Sequence, residues 1–241
     1  MERTSTLTSN SSFSLSLQID SDGFTLSVFD KSDSFLTSKR VDARLSDLSL
    51  DEVISMIKAE TQLNFKNINI SIESNTYVII PMDLFRMDEA ADFLFLEHKP
   101  SKTDSILFNK IPEFGIVDVF TIPGKIHEAI SQLFPMAEIS HHLSQFISEK
   151  VNCKIENCIY CFPGNKKVDI VVIKNSKLLL VNSFSYQTPE DFLYFTLNVY
   201  EKLSLDIHKV PVYLFNPLKK FELEKLLAKY ITVCILQPIK E

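Results

Sequence analysis

Three residues of one short turn, Asp20, Asp22 and Gly23, are the best placed for chemistry in this 241-residue chain. Two carboxylates so close together offer hard oxygen donors, the kind that hold Mg²⁺ through its waters. A glycine beside them lets backbone N–H groups approach an anion with no Cβ in the way. The same residues are also what a hairpin turn calls for, since Asp and Gly favour local hydrogen bonds and positive φ. Turn chemistry alone therefore accounts for all three. Little else supports a phosphate loop. Glycine occurs only at positions 23, 115, 124 and 164, no two in one loop, and no Walker-type segment is present.

Other candidates fare no better. Cys153, Cys158 and Cys161 have the C-x₄-C-x₂-C spacing of a two-iron cluster, with Cys234 as a fourth ligand. However, Asn157–Cys161 alternates like a strand, which puts Cys158 and Cys161 on opposite faces. His141 and His142 are adjacent and would point about 100° apart on a helix, so they read as solvated surface histidines. His98, His127 and His208 lack ligand spacing, and no serine or cysteine sits in a nucleophile elbow. No catalytic set and no metal site emerges. The net charge of −6 argues against a nucleic-acid partner, because phosphate binding runs on clustered Lys and Arg. No apolar run reaches the roughly 18 residues that would insert in a bilayer. The Ser/Thr-rich start lacks the basic and apolar regions of a signal peptide. Residues 1–12 therefore read as a flexible tail, and the chain as cytoplasmic with reduced cysteines.

The elements that position these residues follow from periodicity. Strands are expected over Phe13–Ile19, Phe24–Phe29 and Ser34–Val41, then a helix from Ser49 with Glu52 closing a capping box. Asn67–Ile72 and Thr76–Ile80 read as strands, Met87–Leu96 as a helix, Ile106–Phe108 and Phe114–Ile122 as strands, and Pro123 as the start of another helix. The first half spans 13–135, and residues 136–152, with a short strand and an amphipathic helix carrying Leu143, Phe146 and Ile147, bridge to a second half over 153–241. There the order recurs, with strands at Ile155–Phe162, Val168–Ile173 and Leu178–Phe184. A helix follows from Thr188-Pro189-Glu190-Asp191, then strands at Val210–Phe215 and Ile231–Leu236 on either side of a helix ending near Ala228. Both halves read strand–strand–strand–helix–strand–helix–strand, with Gly23 matching Lys167 and Pro81 matching Pro217. Three antiparallel strands followed by crossovers make a mixed sheet with flanking helices. Apolar runs at Phe93–Leu96 and Phe192–Phe195 are either core or a partner surface.

The segments Leu15–Asp20 with Gly23, Thr76–Pro81, and Val168–Ile173 through Asn182-Ser183-Phe184 resemble a bacterial family of unknown function. More distantly, the chain is similar to cytoplasmic actin-like pilus assembly proteins. The resemblance spans about residues 13 to 237 and rests on the ensemble of segments. It implies an α/β fold of duplicated ribonuclease H-like (actin-like ATPase) halves, each a mixed five-stranded sheet with flanking helices. In that superfamily ATP sits between the halves, with an acidic residue ending the first strand of each half and a glycine-containing hairpin after it. Asp20 matches the first acid, though its turn is one residue longer than usual. The second place reads Cys161-Phe162-Pro163-Gly164, without a carboxylate, and the expected adenosine turn reads Phe215-Asn216-Pro217-Leu218, without a glycine. The expectation is therefore a degenerate, non-catalytic scaffold or adaptor with a protein partner and no cofactor. A weak nucleotide binder is the alternative, with ATP/Mg on Asp20, Asp22 and Gly23. So is a metal-dependent ribonuclease H-like nuclease using Asp20, Glu52 and Asp83, although Glu52 and Asp83 lie where helix starts favour acids.

Overall fold

Alternation sets the first strand: Phe13, Leu15, Leu17 and Ile19 are buried along β1 (Phe13–Asp20) while the residues between them face outward. A computed structural model describes residues 13–61, 65–150, 157–164, 166–215, 220–231 and 234–237. The chain divides into two compact units, Met1–Lys150 and Val151–Glu241.

In the first unit, β1 turns at Asp20–Gly23 into antiparallel β2 (Gly23–Phe29), which pairs with antiparallel β3 (Phe35–Asp42). Gly23 holds φ +145°, and a Cβ there would lie 2.0 Å from Val41 O of β3. No other residue fits. Ser49 then caps α1 (Leu50–Glu60): its hydroxyl accepts from Glu52 N at 3.3 Å, and the Glu52 carboxylate accepts from Ser49 N at 2.8 Å. Val53 and Ile57 make the buried stripe of this helix. Next, β4 (Phe65–Ile72) lies parallel to β1.

The chain then leaves that sheet. Strand β5 (Tyr77–Pro81), helix α2 (Ala90–Glu97), β6 (Asp104–Ile111) and β7 (Ile116–Pro123) build a separate antiparallel sheet of order β5-β7-β6. Its core is Ile80, Ala90, Leu94, Val117 and Val119. Helix α3 (Gly124–Leu133) leads to β8 (Glu138–His141), which joins β4 in parallel and completes the sheet β3-β2-β1-β4-β8. Helix α4 (His142–Lys150) follows. The short strand and helix expected to bridge the halves are β8 and α4, and the strand belongs to the first sheet as its fifth member. Thr76–Ile80, expected in the main sheet, pairs elsewhere: its β-branched and aromatic residues report a strand, while its partner is set by long-range packing.

In the second unit, β9 (Asn157–Pro163), β10 (Lys167–Lys174) and β11 (Lys177–Ser185) are antiparallel neighbours. The β10–β11 turn places Asn175 at φ 51° and Ser176 at φ 58°, the positive pair that a two-residue hairpin requires. Thr188 and Asp191 form a reciprocal capping box on α5 (Pro189–Lys202), with Pro189 in its first turn. Then β12 (Val212–Phe215) joins β9 in parallel, α6 (Lys220–Leu227) crosses over, and β13 (Cys234–Gln237) joins β12 in parallel. The order is β11-β10-β9-β12-β13. Counting only the strands of its own sheet in chain order, each five-stranded sheet runs third, second, first, fourth, fifth. The first sheet's fourth strand is β4, so Pro81 at the end of β5 is not the counterpart of Pro217, which lies outside the described residues.

Two outcomes follow. Gly23→Ala should cost about 2–4 kcal/mol in urea unfolding, through strained φ and the carbonyl clash. Gly115→Ala, at φ +63° with open space around it, should cost only about 1–2 kcal/mol. Equal losses would show that the Val41 contact does not matter. The caps make a second test. Backbone N–H donors, first from Ser49 and from Gln187 respectively, pull the Glu52 and Asp191 carboxyls below their ordinary 4.5 and 3.8. Groups with lowered folded values stabilise fully above those unfolded values, and that contribution is lost as pH falls through the folded ones. The urea midpoint should drop on acidification below pH 4.5, and Glu52→Gln with Asp191→Asn should flatten part of that slope.

Candidate functional site

The Asp20 turn closes on itself. Asp20 Oδ1 accepts from Asp22 N at 2.8 Å and from Arg40 Nη2 at 2.9 Å, while Arg40 Nη1 donates to Asp20 Oδ2. Arg40 also donates through Nε to Asp42 Oδ1 at 2.9 Å. A planar guanidinium held by both oxygens of a carboxylate is the strongest form such a pair takes. The pair is partly shielded, with side-chain exposures of 20% for Asp20 and 35% for Arg40. The Asp20 hydrogen bond, then that of Asp42, pushes the guanidinium still higher above its ordinary range, against some burial.

Sheet register explains the reach. Asp20, Gly23 and Asp42 form one cross-strand row, and Gln18, Thr25 and Arg40 form the next row on the same face. Gly23 has no side chain to stand between Arg40 and Asp20. Asp20 and Arg40 thus meet diagonally across β2, a partnership that alternation on β3 hinted at only by putting Arg40 and Asp42 on one face.

The second hairpin is also committed internally. Gly164 N donates to Lys167 O at 2.7 Å, and Gly164 O accepts from Tyr186 Oη at 2.6 Å. At the ends of β9 and β12, where open α/β sheets place ligands, the rings of Phe162 and Phe215 stack at 4.7 Å and 18°. Tyr160 and Tyr213 stack behind them at 5.2 Å.

The other sequence candidates disperse. The Glu52 carboxylate is occupied by Ser49, and Asp83 sits exposed on a 3₁₀ turn after β5, in the smaller sheet. Cys158 and Cys161 are buried on β9, and Cys161 belongs to the core under α5. Cys153 and the Cys234 side chain lie outside the described residues. Among the described residues no three His, Cys, Asp or Glu side chains cluster to hold a metal ion. No described helix is long and apolar enough to cross a membrane.

One cluster escaped the sequence. His141 is not a surface histidine; it is wholly buried, as is Asp118 of β7. Its Nδ1 lies 2.6 Å from Asp118 Oδ2, and its Nε2 donates to Ser74 O at 3.1 Å. The carbonyl can only accept, so Nε2 carries a proton, and a second proton is shared between Nδ1 and the carboxylate. Ser144 of α4 donates to the same Asp118 oxygen at 2.6 Å. Oδ1 of Asp118 has no hydrogen-bond partner among the described residues. Asn109 of β6 completes the group, donating to Ile139 O at 3.1 Å and accepting from His141 N at 2.8 Å. Serine, aspartate and histidine meet here in the wrong order for nucleophilic catalysis: the hydroxyl donates to the carboxylate, not to the imidazole. The cluster ties β6 and β7 of one sheet to β8 of the other. Two depressions flank this seam. An apolar one of about 290 Å³ is lined by Ile106, Leu107, Phe108, Ala137 and Ile139. A polar one of about 500 Å³ includes Lys110, Glu138, Ser140 and Ser144.

This architecture is the actin-like ATPase fold. A crystal structure from Bacteroides thetaiotaomicron VPI-5482, of a protein with actin-like ATPase fold and unknown function, superposes with a TM-score of 0.79. The two share 24% identity over 93% of this chain and 90% of that one. The PilM–PilN type IV pilus biogenesis complex matches with a TM-score of 0.52 at 14% identity, over 94% of this chain and 88% of that chain. The ethanolamine utilization protein EutJ from Carboxydothermus hydrogenoformans matches with 0.52 at 8% identity, over 94% and 84%. The chain belongs to the DUF3822 family, proteins of unknown function, whose model matches residues 2–234. No curated protein matches it.

The buried pair gives a test of its own. His141→Ala should cost about 3–5 kcal/mol, because it strands a carboxylate in the core. Combining it with Asp118→Leu should recover much of that loss. A double variant no more stable than His141→Ala would show that the charge is not what the histidine serves.

Proposed function

We propose that this protein is a degenerate, non-catalytic member of the actin-like fold that serves as a scaffold or adaptor for a protein partner. The observation that carries this reading is the Asp20–Arg40 pair. A carboxylate that would have to face hydrated Mg²⁺ is already matched, charge for charge, by a guanidinium of its own sheet. An incoming cation would have to displace a bidentate partner and leave Arg40 facing it, a like-charge contact. Gly164 N is used within its hairpin, and stacked Phe162 and Phe215 stand where the second half would need an acid and a glycine. Identical strand orders in the two five-stranded sheets support a duplicated ribonuclease H-like unit. Membership of a PilM–PilN biogenesis complex by one structural neighbour supports a protein as the partner. The cytoplasm is the compartment this reading favours.

Thermal unfolding with and without millimolar Mg-ATP separates this from the nucleotide-binding alternative. A ligand at a hundred times its Kd stabilises by about 2.7 kcal/mol, which shifts the melting temperature by a readable few degrees. The expected result is no shift. A rise that Asp20→Asn abolishes would assign ATP/Mg to Asp20, Asp22 and Gly23 instead and overturn the reading.

A further inference from the structure

Helix α2 is unusual for a helix on one side of a small sheet. It buries Ala90 and Leu94 in the core of that sheet. At about 100° per residue, the opposite face carries Asp92, Phe95 and Leu96. Phe95 is 59% exposed and Leu96 80%. The two 3₁₀ turns just before the helix add Leu84 at 61% and Met87 at 66%. Scattered apolar residues need no explanation, but four large ones exposed within one short stretch on and just before one helix are unusual. Its surroundings are mainly acidic: Asp83, Asp88, Glu89, Asp92 and Glu97 are all exposed, against the exposed bases Arg86, Lys99 and Lys110.

We propose that this face docks a basic amphipathic helix of the partner protein, with aliphatic or aromatic side chains at i, i+3, i+4 and i+7 and lysine or arginine beside them. Apolar anchors at that spacing are how a helix lies on a hydrophobic surface. The sign of the charge selects among occupants. A second copy of this chain would set five carboxylates against five in a two-fold interface. Nucleic acid and an anionic membrane surface carry the same sign and are repelled. A cationic segment alone gains from both the exposed apolar residues and their mainly acidic surroundings. This inference rests on the adaptor reading, to which it gives the partner's chemistry, and peptide binding is a readout separate from the nucleotide titration.

The probe is a fluorescein-labelled helical peptide of leucine and lysine with the leucines in that stripe. Two controls accompany it: the same peptide with glutamate for lysine, and a scrambled leucine–lysine peptide without the stripe. Fluorescence anisotropy should show saturable binding of the striped basic peptide alone, weakening as salt is added. Phe95→Ser with Leu96→Ser should weaken it by about tenfold or more, about 1.4 kcal/mol, without lowering the melting temperature, since both side chains are exposed. Asp88→Asn with Asp92→Asn should weaken it through the charge alone. The proposal fails if the striped peptide does not bind, if it binds the serine variant as well as it binds wild type, or if the scrambled peptide binds equally. It fails also if the wild type sediments as a dimer that the serine variant makes monomeric, which would seat a second copy there.

Discussion

A carboxylate at a strand end can be neutralised by one close cation, and whichever cation holds it decides what the site can bind. In this chain that cation is Arg40, delivered from β3 across β2. The arrangement depends on Gly23 twice over. Its φ lets the hairpin close against the Val41 carbonyl, and its missing side chain leaves the diagonal between Asp20 and Arg40 open. A residue that first reads as a remnant of anion binding is thus fully used by the sheet. The same economy appears in the second unit, where the hairpin glycine bonds to Lys167 and Tyr186.

The first unit is held together by a second polar arrangement of a different kind. Asp118, His141 and Ser144 are buried, and the His141 ring packs against Tyr77 at 4.8 Å and Phe120 at 5.2 Å. Buried ionisable groups of this sort are costly to desolvate and add less stability than their hydrogen bonds suggest. What they impose is alignment: β7 cannot slide against β8 without separating the imidazole from the carboxylate. The register of the first unit is fixed by such points as well as by apolar packing.

Much of the fold was legible in the sequence, because the signals were local. Both helix caps, the Asn175-Ser176 turn, the alternating strand at Phe13 and the apolar strand at Val168 follow from residues a few positions apart. Sheet membership was not legible. Thr76–Ile80 reads as a strand as Asn67–Ile72 does, yet only the latter joins the main sheet, and the fifth strand came from a short strand that read as part of a bridge between the halves. The site fared likewise. Asp20, Asp22 and Gly23 could be found from spacing, but Arg40, twenty residues on, could be found only from register. His141 looked solvated because its polar neighbours, Asp118 and Ser74, are distant in sequence.

The side chain of Asn109 has a consequence for how the molecule meets others of its kind. Strand β8 is the last in its sheet, and a last strand ordinarily offers unpaired carbonyl and amide groups as a template for a further strand. Here the Asn109 carboxamide bonds both Ile139 O and His141 N, imitating the next strand with a single residue. At these two positions the ladder is terminated from within, and recruitment of a foreign strand by edge-to-edge aggregation is foreclosed there.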